Sequence, residues 1–344
     1  MTNSPQWRVA VLGGGSFGTV LANMAAENGH ATTLWLRDQA QLAEMEATRE
    51  NTRYLPGFRL SDQLRFSNAL GAAVGDADVI FVSIPSKAFR SVVQSATPFL
   101  RPEQMLISTT KGIEKDHFTL MSEILREESG SKRIGVLSGP NLAREIVAGM
   151  PSGTVIASIQ PDVRERVHQV LSCRSFRVFA NTDVYGVELG GALKNIYAIA
   201  AGMAAAMKLG ENSRSMLMTR ALAEMSRFAV QLGANPLTFI GLAGVGDLIA
   251  TCSSPLSRNY QVGYALGSGK SLADIIEDLE QTAEGVNTVE IVKRKAEEYG
   301  VHMPIVLGLY EIIFNHQSLA EVMARLMHGG QTSDVEFVLP RAQA

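Results

Sequence analysis

The chain has 344 residues, of which 46% are hydrophobic and 19% are charged, and its formal net charge is −3. This length predicts two domains, and the composition is typical of a globular protein with a full core. Because the charge is close to zero, neither nucleic acid nor an anionic membrane is expected as the main partner. Any anion site must therefore be local.

Two cysteines, Cys173 and Cys252, form neither a disulfide framework nor a metal motif, which favours a reducing, cytoplasmic setting. The first residues contain no basic segment followed by an apolar core, so no signal peptide is predicted. The most apolar stretch, residues 195–207, is shorter than the ~20 residues of a membrane span and is interpreted as a buried helix.

A glycine turn follows the first predicted strand, residues 9–12, and leads into a helix-forming segment. Gly13, Gly15 and Gly18 have the G-x-G-x-x-G spacing of a dinucleotide-binding turn. The first permits a tight turn, the second lets backbone approach a pyrophosphate, and the third lets helix pack on strand. A glycine-rich surface loop is the alternative, but the strand–turn–helix context favours a dinucleotide site.

Strands and helices alternate through the first half of the chain. Further strands are predicted at 31–36, 78–82, 105–108, 134–137, 154–157 and 176–179, with helices that include 118–128, 141–148 and 161–171. Near-continuous apolar strands in this alternation predict a mainly parallel, doubly wound, Rossmann-like α/β sheet. Ligands of such sheets bind beyond the carboxyl ends of the strands.

From about residue 184 the pattern is helical only. Helices are predicted at 184–207, 213–232, 240–250, 259–267, 272–280, 288–299, 305–315 and 319–327. We therefore expect a dinucleotide-binding domain, residues 1–183, followed by an all-helical substrate domain, residues 184–344, with a cleft between them.

Arg37 stands near the end of the second strand, where an acidic side chain would bind the ribose hydroxyls of NAD. An arginine there could accept a 2′-phosphate through paired N–H donors or stack on the adenine. This favours NADP over NAD without excluding NAD. A solvated arginine at the strand end is the alternative.

Two further strand ends carry candidate groups. Lys111 follows the strand at 105–108, and the adjacent Gly112 suits an ammonium that reaches into the cleft, although a surface lysine is the simpler interpretation. In the turn at 138–143, Gly139 allows close backbone approach and Asn141 can cap a helix. An ordinary turn between strand and helix explains that segment equally well.

Lys194 lies in a segment that a helix would arrange with Gly190 and Gly191 beside the lysine. The glycines cost helix stability but leave room there. Because the residues that follow are apolar, the amine borders a buried region, where desolvation and nearby cations would lower its pKa toward a value useful for proton transfer. A structural lysine paired with a carboxylate is the alternative.

Asp247 is a lone carboxylate in an apolar, glycine-rich segment, and Lys194 is its candidate partner. Ser257, Arg258 and Asn259 gather a hydroxyl, a guanidinium and an amide at a predicted helix start. This combination is typical of a phosphate or carboxylate receptor. An N-cap serine beside a solvated arginine is the alternative.

From about residue 8 to residue 304 the chain resembles the bacterial-type NAD(P)-dependent glycerol-3-phosphate dehydrogenases, and the resemblance rests on seven separated motifs. They are GGGSFGT at 13–19, NTRYLPG at 51–57, STTKGI at 108–113, SGP at 138–140, ELGGALKN at 188–195, LAGVGDL at 242–248 and SPLSRN at 254–259. The resemblance implies a Rossmann-like domain followed by a helical domain of the 6-phosphogluconate dehydrogenase type, and a homodimer.

The resemblance also implies site residues. Lys194 becomes the catalytic acid and base, with Lys111 and Asp247 beside it. Substrate contacts are implied for Lys111, Gly139, Asn141, Lys194, Asp247, Ser257, Arg258 and Asn259. Nucleotide contacts are implied for Gly13, Gly15, Ser16, Phe17, Gly18, Arg37, Tyr54, Lys111, Ala143, Arg258, Thr282 and Glu284. No metal is expected.

Some positions depart from the family pattern. Asn141 stands where the family usually has serine or threonine, and Leu142 replaces the usual phenylalanine. Thr282 stands where an aliphatic residue is more common, so Glu284 is the firmer assignment in its segment. None of these changes removes a group that the reaction needs.

The resulting hypothesis is reversible hydride transfer between a nicotinamide and C2 of glycerol 3-phosphate, with dihydroxyacetone phosphate as the ketone. This reaction would supply glycerol 3-phosphate for phospholipid synthesis. Lys194 would transfer the proton, and Asp247 would orient the Lys194 amine. Lys111 would stabilise the negative charge that develops on the substrate oxygen. The alternatives are a ketopantoate or β-hydroxy-acid reductase, and a nucleotide-sensing protein without turnover.

Overall fold

A computed structural model describes residues 6–115, 117–279 and 284–329 of the chain. The strands are β1 (Arg8–Leu12), β2 (Ala31–Trp35), β3 (Glu50–Asn51), β4 (Leu55–Arg59), β5 (Arg65–Ser67), β6 (Val79–Val82), β7 (Met105–Ser108), β8 (Ile113–Glu114), β9 (Thr119–Leu120), β10 (Ile134–Ser138), β11 (Ser152–Ala157) and β12 (Phe176–Asn181).

The α-helices alternate with these strands and then continue alone. They are α1 (Ser16–Glu27), α2 (Gln39–Thr48), α3 (Leu70–Val74), α4 (Ser86–Ala96), α5 (Met121–Ser129), α6 (Ala143–Val147), α7 (Pro161–Leu171), α8 (Val184–Ala206), α9 (Glu211–Gln231), α10 (Asp247–Ser253), α11 (Arg258–Gly267), α12 (Leu272–Leu279), α13 (Glu284–Glu298), α14 (Pro304–Phe314) and α15 (Leu319–Met327).

The large sheet has the strand order β12-β11-β10-β7-β6-β1-β2-β5. Its described pairs are parallel except β10 with β11. In β1, Val9 and Val11 belong to one buried cluster, whereas Ala10 and Leu12 belong to another. Successive side chains of a strand point to opposite faces, so the two clusters show that both faces are covered. The predicted fold class is confirmed.

The helical half is organised around α8, which packs against α9, α10, α11, α13 and α14. Small residues allow α11 to approach it very closely. A Cβ at Gly263 would lie 1.9 Å from the Ile199 carbonyl oxygen, and a Cβ at Gly202 would lie 2.1 Å from that of Tyr260. The two backbones are therefore nearly in contact, and α8 is buried over most of its length.

The helix predicted over residues 240–250 is correct only for residues 247–250, which lie in α10. The structure has a 3₁₀ helix at Pro236–Ile240, a π-helical turn at Leu242–Gly246 and then α10. A Cβ at Gly244 would lie 2.2 Å from the Phe239 carbonyl oxygen, so the chain folds tightly over itself there. This irregular path places Asp247 at the first position of α10.

Smaller differences concern the βα segments. The helix predicted over 118–128 begins only at Met121, because Thr119–Leu120 pairs with Ile113–Glu114 as a short hairpin. The helix predicted over 141–148 is reduced to α6, and α4 was not predicted. The last residue of the helix predicted over 272–280 lies outside the described residues. No helix within the described ranges is long and apolar enough to cross a membrane.

Candidate active site

The turn between β1 and α1 has a shape that depends on glycine. Gly13 has a φ of +118°, and a Cβ there would lie 2.3 Å from the Ser83 carbonyl oxygen. A Cβ at Gly18 would lie 2.1 Å from the Gly13 carbonyl oxygen. Gly15 differs, since a Cβ there meets nothing within 4 Å. It is the N-cap of α1 and makes no side-chain hydrogen bond, so this helix start is suited to an anion.

Neighbouring side chains hold this turn in place. The Asn51 and Gln41 amides each donate to the Gly14 carbonyl oxygen over 2.9 Å. The Ser16 hydroxyl donates to the Tyr54 carbonyl oxygen over 2.8 Å, and Phe17 packs against the buried cluster beneath the sheet. Sequence reasoning missed Asn51 and Gln41, although Asn51 opens the NTRYLPG motif.

Arg37 and Asp38 follow β2 at the same edge of the sheet. Asp38 caps α2, and its carboxylate accepts hydrogen bonds from the amides of Ala40 and Gln41 over 2.8 and 3.3 Å. One of its oxygens, Oδ1, is therefore engaged within the protein. Arg37 is exposed and projects from the position where a strand-end side chain would meet a nucleotide ribose.

A second group of side chains lies where α8, α10 and the end of β7 converge. Lys194 Nζ contacts Asp247 Oδ1, and Lys111 Nζ lies 2.8 Å from Asp247 Oδ2. Lys111 Nζ also donates to the Gly139 carbonyl oxygen over 2.7 Å. Lys194 is 5% exposed and Asp247 is 1% exposed. One buried carboxylate thus holds two ammonium groups that are far apart in sequence.

The electrostatics of this group concern mainly Lys194. Burial lowers the pKa of its ammonium to about 7, while the nearby Asp247 charge opposes that shift and the Lys111 charge adds to it. Desolvation penalises the charged form, and a pKa near neutrality is suited to both proton donation and proton acceptance. The sequence predicted that burial would lower this pKa and that Asp247 would be the partner of Lys194. The structure agrees on both points.

Two further residues support the lysines and were not predicted. Thr251, one helical turn after Asp247, accepts a hydrogen bond from Lys194 Nζ and contacts Asp247 Oδ1 over 3.4 Å. The Asn195 amide donates to the Lys111 carbonyl oxygen over 3.1 Å. The i+4 spacing from Asp247 would have identified Thr251 if α10 had been predicted with its observed start.

The space expected beside Lys194 is filled by protein. A Cβ at Gly191 would lie 2.5 Å from Ser138 Oγ, and a Cβ at Gly190 would lie 2.7 Å from the Ala243 carbonyl oxygen. The two glycines therefore let β10 and the π-helical turn pack against α8. The room that the glycines were expected to leave beside Lys194 is thus occupied by other parts of the protein.

The turn after β10 places Gly139 and Asn141 near this group. Gly139 has a φ of +146°, and its carbonyl oxygen binds Lys111. The Asn141 amide nitrogen donates to Thr154 Oγ1 over 3.0 Å, whereas its buried Oδ1 has no hydrogen-bond partner among the described residues. The N-cap of α6 is Leu142, so the expectation that Asn141 caps the helix is wrong. Ala143 begins α6 and packs against the sheet core.

At the start of α11, Ser257 and Asn259 are partly engaged in local structure. Ser257 is the N-cap, whose hydroxyl accepts the Tyr260 amide over 3.4 Å, and Asn259 Oδ1 accepts the Gly285 amide over 3.0 Å. Arg258 is exposed at the residue level, yet desolvation by the surrounding protein lowers the pKa of its guanidinium. Tyr54 and Glu284 are near enough to oppose that shift.

Glu284 joins the two halves of the molecule. Its carboxylate accepts hydrogen bonds from the Ser86 amide over 3.0 Å and from the Ser86 hydroxyl. A Cβ at Gly112 would lie 2.7 Å from Glu284 Oε2, which explains the glycine after Lys111. Sequence reasoning missed Ser86, although it follows a strand end. Thr282 lies outside the described residues.

The arrangement defines a class of protein. A Rossmann-type sheet with an anion-receiving turn adjoins a helical half that buries a lysine beside a carboxylate and a second lysine. These features are typical of two-domain oxidoreductases that use a nicotinamide dinucleotide.

Comparison with known proteins gives the family. A model described as NAD-dependent glycerol-3-phosphate dehydrogenase N-terminus matches residues 8–164, and the corresponding C-terminus model matches residues 183–324. The chain belongs to this family. The resemblance, the enzyme class and the use of NAD or NADP that the motifs predicted are thereby confirmed.

Individual relatives agree with the family models over nearly the whole chain. A protein of Acinetobacter baylyi named glycerol-3-phosphate dehydrogenase (NAD(P)+) is 59% identical over 98% of this chain and 94% of its own length. One of Teredinibacter turnerae with the same name is 55% identical over 98% of each chain. The crystal structure of glycerol-3-phosphate dehydrogenase from Coxiella burnetii has 33% identity and a TM-score of 0.90, covering 94% of this chain and 99% of that one.

Proposed function

We propose that the chain interconverts sn-glycerol 3-phosphate and dihydroxyacetone phosphate with NAD(P), and that Lys194 carries the proton. The observation that carries the proposal is the buried contact of Lys194 and Lys111 with Asp247, in a chain of this family. A bound nicotinamide would supply or accept the hydride. The protein supplies position, charge and the proton.

The turn at β1 fits a dinucleotide. Its cradle at Gly15 is open where a Cβ would stand, and α1 begins there without a side-chain cap. The pyrophosphate would lie against the first amides of α1, those of Ser16 and Phe17 among them. Arg37 would contact a 2′-phosphate, which is why we propose a preference for NADPH.

In the direction of reduction, Lys194 donates its proton to the carbonyl oxygen of the ketone. In the direction of oxidation, neutral Lys194 removes the proton of the hydroxyl group. Asp247 orients both ammonium groups through its two oxygens, so that Lys111 presents its charge to the same substrate oxygen. A lysine with a pKa near 7 serves both directions without a large proton-transfer penalty.

The rest of the substrate is held by the neighbouring turns. Arg258, with Ser257 and Asn259 at the start of α11, would bind the phosphate, because a guanidinium and a helix start both favour an anion. The Oδ1 of Asn141, which has no hydrogen-bond partner among the described residues, would accept a hydrogen bond from a substrate hydroxyl. Phosphate binding remote from C2 then holds the reacting carbon in place.

We further propose that residues 1–183 form the dinucleotide-binding domain and residues 184–344 the substrate domain. We also propose a cytoplasmic homodimer that supplies glycerol 3-phosphate for phospholipid synthesis. Cys173 and Cys252 are free thiols in the described chain, which is compatible with a reducing compartment.

The direct test is the oxidation of NADPH and of NADH, followed at 340 nm, with dihydroxyacetone phosphate and with ketopantoate as separate substrates. We expect turnover with dihydroxyacetone phosphate and none with ketopantoate. Turnover with ketopantoate alone would identify the alternative reductase. Tight NADPH binding without turnover on either ketone would identify a nucleotide sensor.

A further inference from the structure

Glu188 is a buried carboxylate in the first half of α8 that has no part in the proposed proton transfer. It is 2% exposed, and it accepts hydrogen bonds from the Ser122 amide over 2.9 Å and from the Ser122 hydroxyl. Ser122 is the second residue of α5, where helix amides have no acceptor within the helix. The helix that carries Lys194 therefore also caps a helix that packs on the large sheet.

Helix α8 holds a second point in the same region. The Asn195 amide donates to the Lys111 carbonyl oxygen over 3.1 Å. Glu188 and Asn195 are seven residues apart, which places both on one side of α8, about 10 Å from each other along its axis. Lys111 precedes β8 and Ser122 follows β9, and these two strands pair as the hairpin β8–β9. One side of α8 thus holds both ends of this hairpin.

The hairpin β8–β9 packs into the helical half. Ile113, Phe118 and Leu120 are buried in the same apolar cluster as most of α8. The Phe118 ring meets the Phe228 ring of α9 edge-on, with the ring centroids 5.9 Å apart. The hairpin therefore belongs to the core of the helical half, although β7 before it and α5 after it belong to the sheet and its covering layer.

The position of Lys111 matters to the lysine group through its charge. Lys111 Nζ lies 2.8 Å from Asp247 Oδ2, and its charge lowers the pKa of Lys194. Cys252 also faces Lys194 from α10, but burial raises the pKa of its thiol to about 12, so that it stays neutral. A displacement of Lys111 would consequently raise the pKa of Lys194.

We propose that Glu188 is a positioning residue for the reaction, because through Ser122 it fixes the hairpin β8–β9, and with it Lys111, against the helix that carries Lys194. The inference rests on the proposed function, since both lysines are assigned to that reaction. The hydrogen bonds of Glu188 go to α5 and not to the lysines. Its effect on the reaction must therefore pass through the position of Lys111.

The first test compares Glu188→Gln, Lys111→Met and the double variant in the full-length chain, by the pH dependence of dihydroxyacetone phosphate reduction. The amide of Glu188→Gln offers one oxygen to the two Ser122 donors, so the hairpin is held less well. It should lower kcat by about tenfold, since a small misplacement of a charged group is costly. The midpoint of kcat/KM should move up by about half a pH unit, because Lys111 then lowers the pKa of Lys194 less.

The double variant identifies the route of this effect. If Glu188 acts through Lys111, then Glu188→Gln should change neither kcat nor the midpoint further once Lys111→Met is present. Additive effects would overturn the proposal, because Glu188 would then act independently of Lys111.

Ser122→Ala separates position from charge. Burial raises the pKa of Glu188 to about 7, the nearby Glu123 adds to that shift, and the hydrogen bonds from Ser122 oppose it. Tyr185 also faces this carboxylate, but burial raises its pKa to about 12. Ser122→Ala keeps the carboxylate and removes one donor, so the midpoint should move up by less than in Glu188→Gln. No shift, or a shift to lower pH, would show that the ionisation of Glu188 governs the profile, against the proposal.

The matched control is Glu224→Gln. Glu224 on α9 is likewise 2% exposed, and it caps α14 through the amides of Ile305 and Val306. Its substitution should lower the melting temperature about as much as Glu188→Gln, because both leave buried donors without a carboxylate. The midpoint should stay at its wild-type value. An equal shift of the midpoint would make it a general result of destabilisation and would overturn the proposal.

Hydrogen exchange, measured by mass spectrometry without substrate, tests the hold on the hairpin independently of turnover. The amides of residues 118–122 should exchange about tenfold faster in Glu188→Gln than in the wild type or in Glu224→Gln. Unchanged exchange would overturn the proposal. If the wild type does not reduce dihydroxyacetone phosphate but exchange responds as expected, the proposed function fails, whereas the hold of Glu188 on the hairpin stands.

Discussion

The glycine turn after β1 and the lysine group on α8 lie near the same edge of the sheet, but they are constructed in opposite ways. The turn presents backbone amides, and its shape depends on Gly13 and Gly18 having no side chain. The lysine group presents side chains from three distant parts of the chain, buried against one carboxylate. The first site therefore depends on local shape, and the second on charge.

This difference determines how each site fails. A side chain added to the turn would clash with neighbouring backbone, which cannot move independently. Such a substitution therefore distorts the conformation of the turn. A partner removed from the lysine group leaves an uncompensated charge in a buried place, which costs several times more than a surface ion pair. Substitutions in the two sites should consequently change different measured quantities.

The largest expected effect is that of Lys194→Met. It should lower kcat by about 10²–10⁴-fold, the usual contribution of a general acid or base, while the affinity for the nucleotide is unchanged. The comparison of single-turnover rate with nucleotide affinity by fluorescence titration measures this separation. Lys208→Met, an exposed lysine just beyond α8, is the matched control and should leave both quantities unaltered. Near wild-type turnover of Lys194→Met would remove it from the mechanism.

Substitutions in the glycine turn should instead weaken nucleotide binding. Gly15→Ala places a methyl group where no atom lies within 4 Å, so it should preserve the melting temperature yet weaken nucleotide binding by about tenfold through obstruction of the anion. Gly13→Ala requires a Cβ 2.3 Å from the Ser83 carbonyl oxygen at a φ of +118°, so it should lower the melting temperature as well. Calorimetry and nucleotide titration distinguish the two. Equal destabilisation by both substitutions would contradict the assignment of Gly15 to the ligand.

The same contrast explains what the sequence could predict. The strand–turn–helix at Gly13 and the alternation of strands and helices are local, and the fold class followed from them. The pairing of Lys194 with Asp247 was inferred only because a lone carboxylate in an apolar segment requires a partner. Local pattern gives no such signal for Asn195, whose amide donates to the Lys111 carbonyl oxygen after β7, far away in sequence.

The difference at residues 240–246, within the helix predicted over 240–250, also arises from contacts that are distant in sequence. Apolar and small residues there satisfy a helical pattern, but tertiary packing imposes a 3₁₀ helix followed by a π-helical turn. The backbone of Gly244 packs closely against that of Phe239, and the Ala243 carbonyl oxygen packs closely against Gly190. The segment alone does not predict that the backbone approaches so closely at these two glycines. Intrinsic propensity was overridden by contacts that are distant in sequence.

The charge-based site should also reveal itself in its pH dependence. Lys194 must be protonated to act as the acid in ketone reduction, so kcat/KM for reduction should fall as the pH rises through about 7. Asp247 raises this pKa and Lys111 lowers it. Asp247→Asn should therefore move the midpoint to lower pH, and Lys111→Met should move it to higher pH, by about one unit each. A shift of both variants in the same direction would show that another group titrates.

The smallest expected effect concerns Arg37, and it tests whether the backbone site also uses a side chain to choose its nucleotide. Arg37→Ala should weaken NADPH binding by about fivefold, because an exposed guanidinium gains little from one phosphate in water. The affinity for NADH should not change, since Asp38 is engaged in capping α2 and does not depend on Arg37. Arg59→Ala, an exposed arginine paired with Asp62, is the control for a general change in surface charge. If both nucleotides lose affinity equally, Arg37 stacks on the adenine that they share and does not bind the 2′-phosphate. Salt distinguishes these outcomes further, because a phosphate contact weakens as ionic strength rises whereas adenine stacking persists.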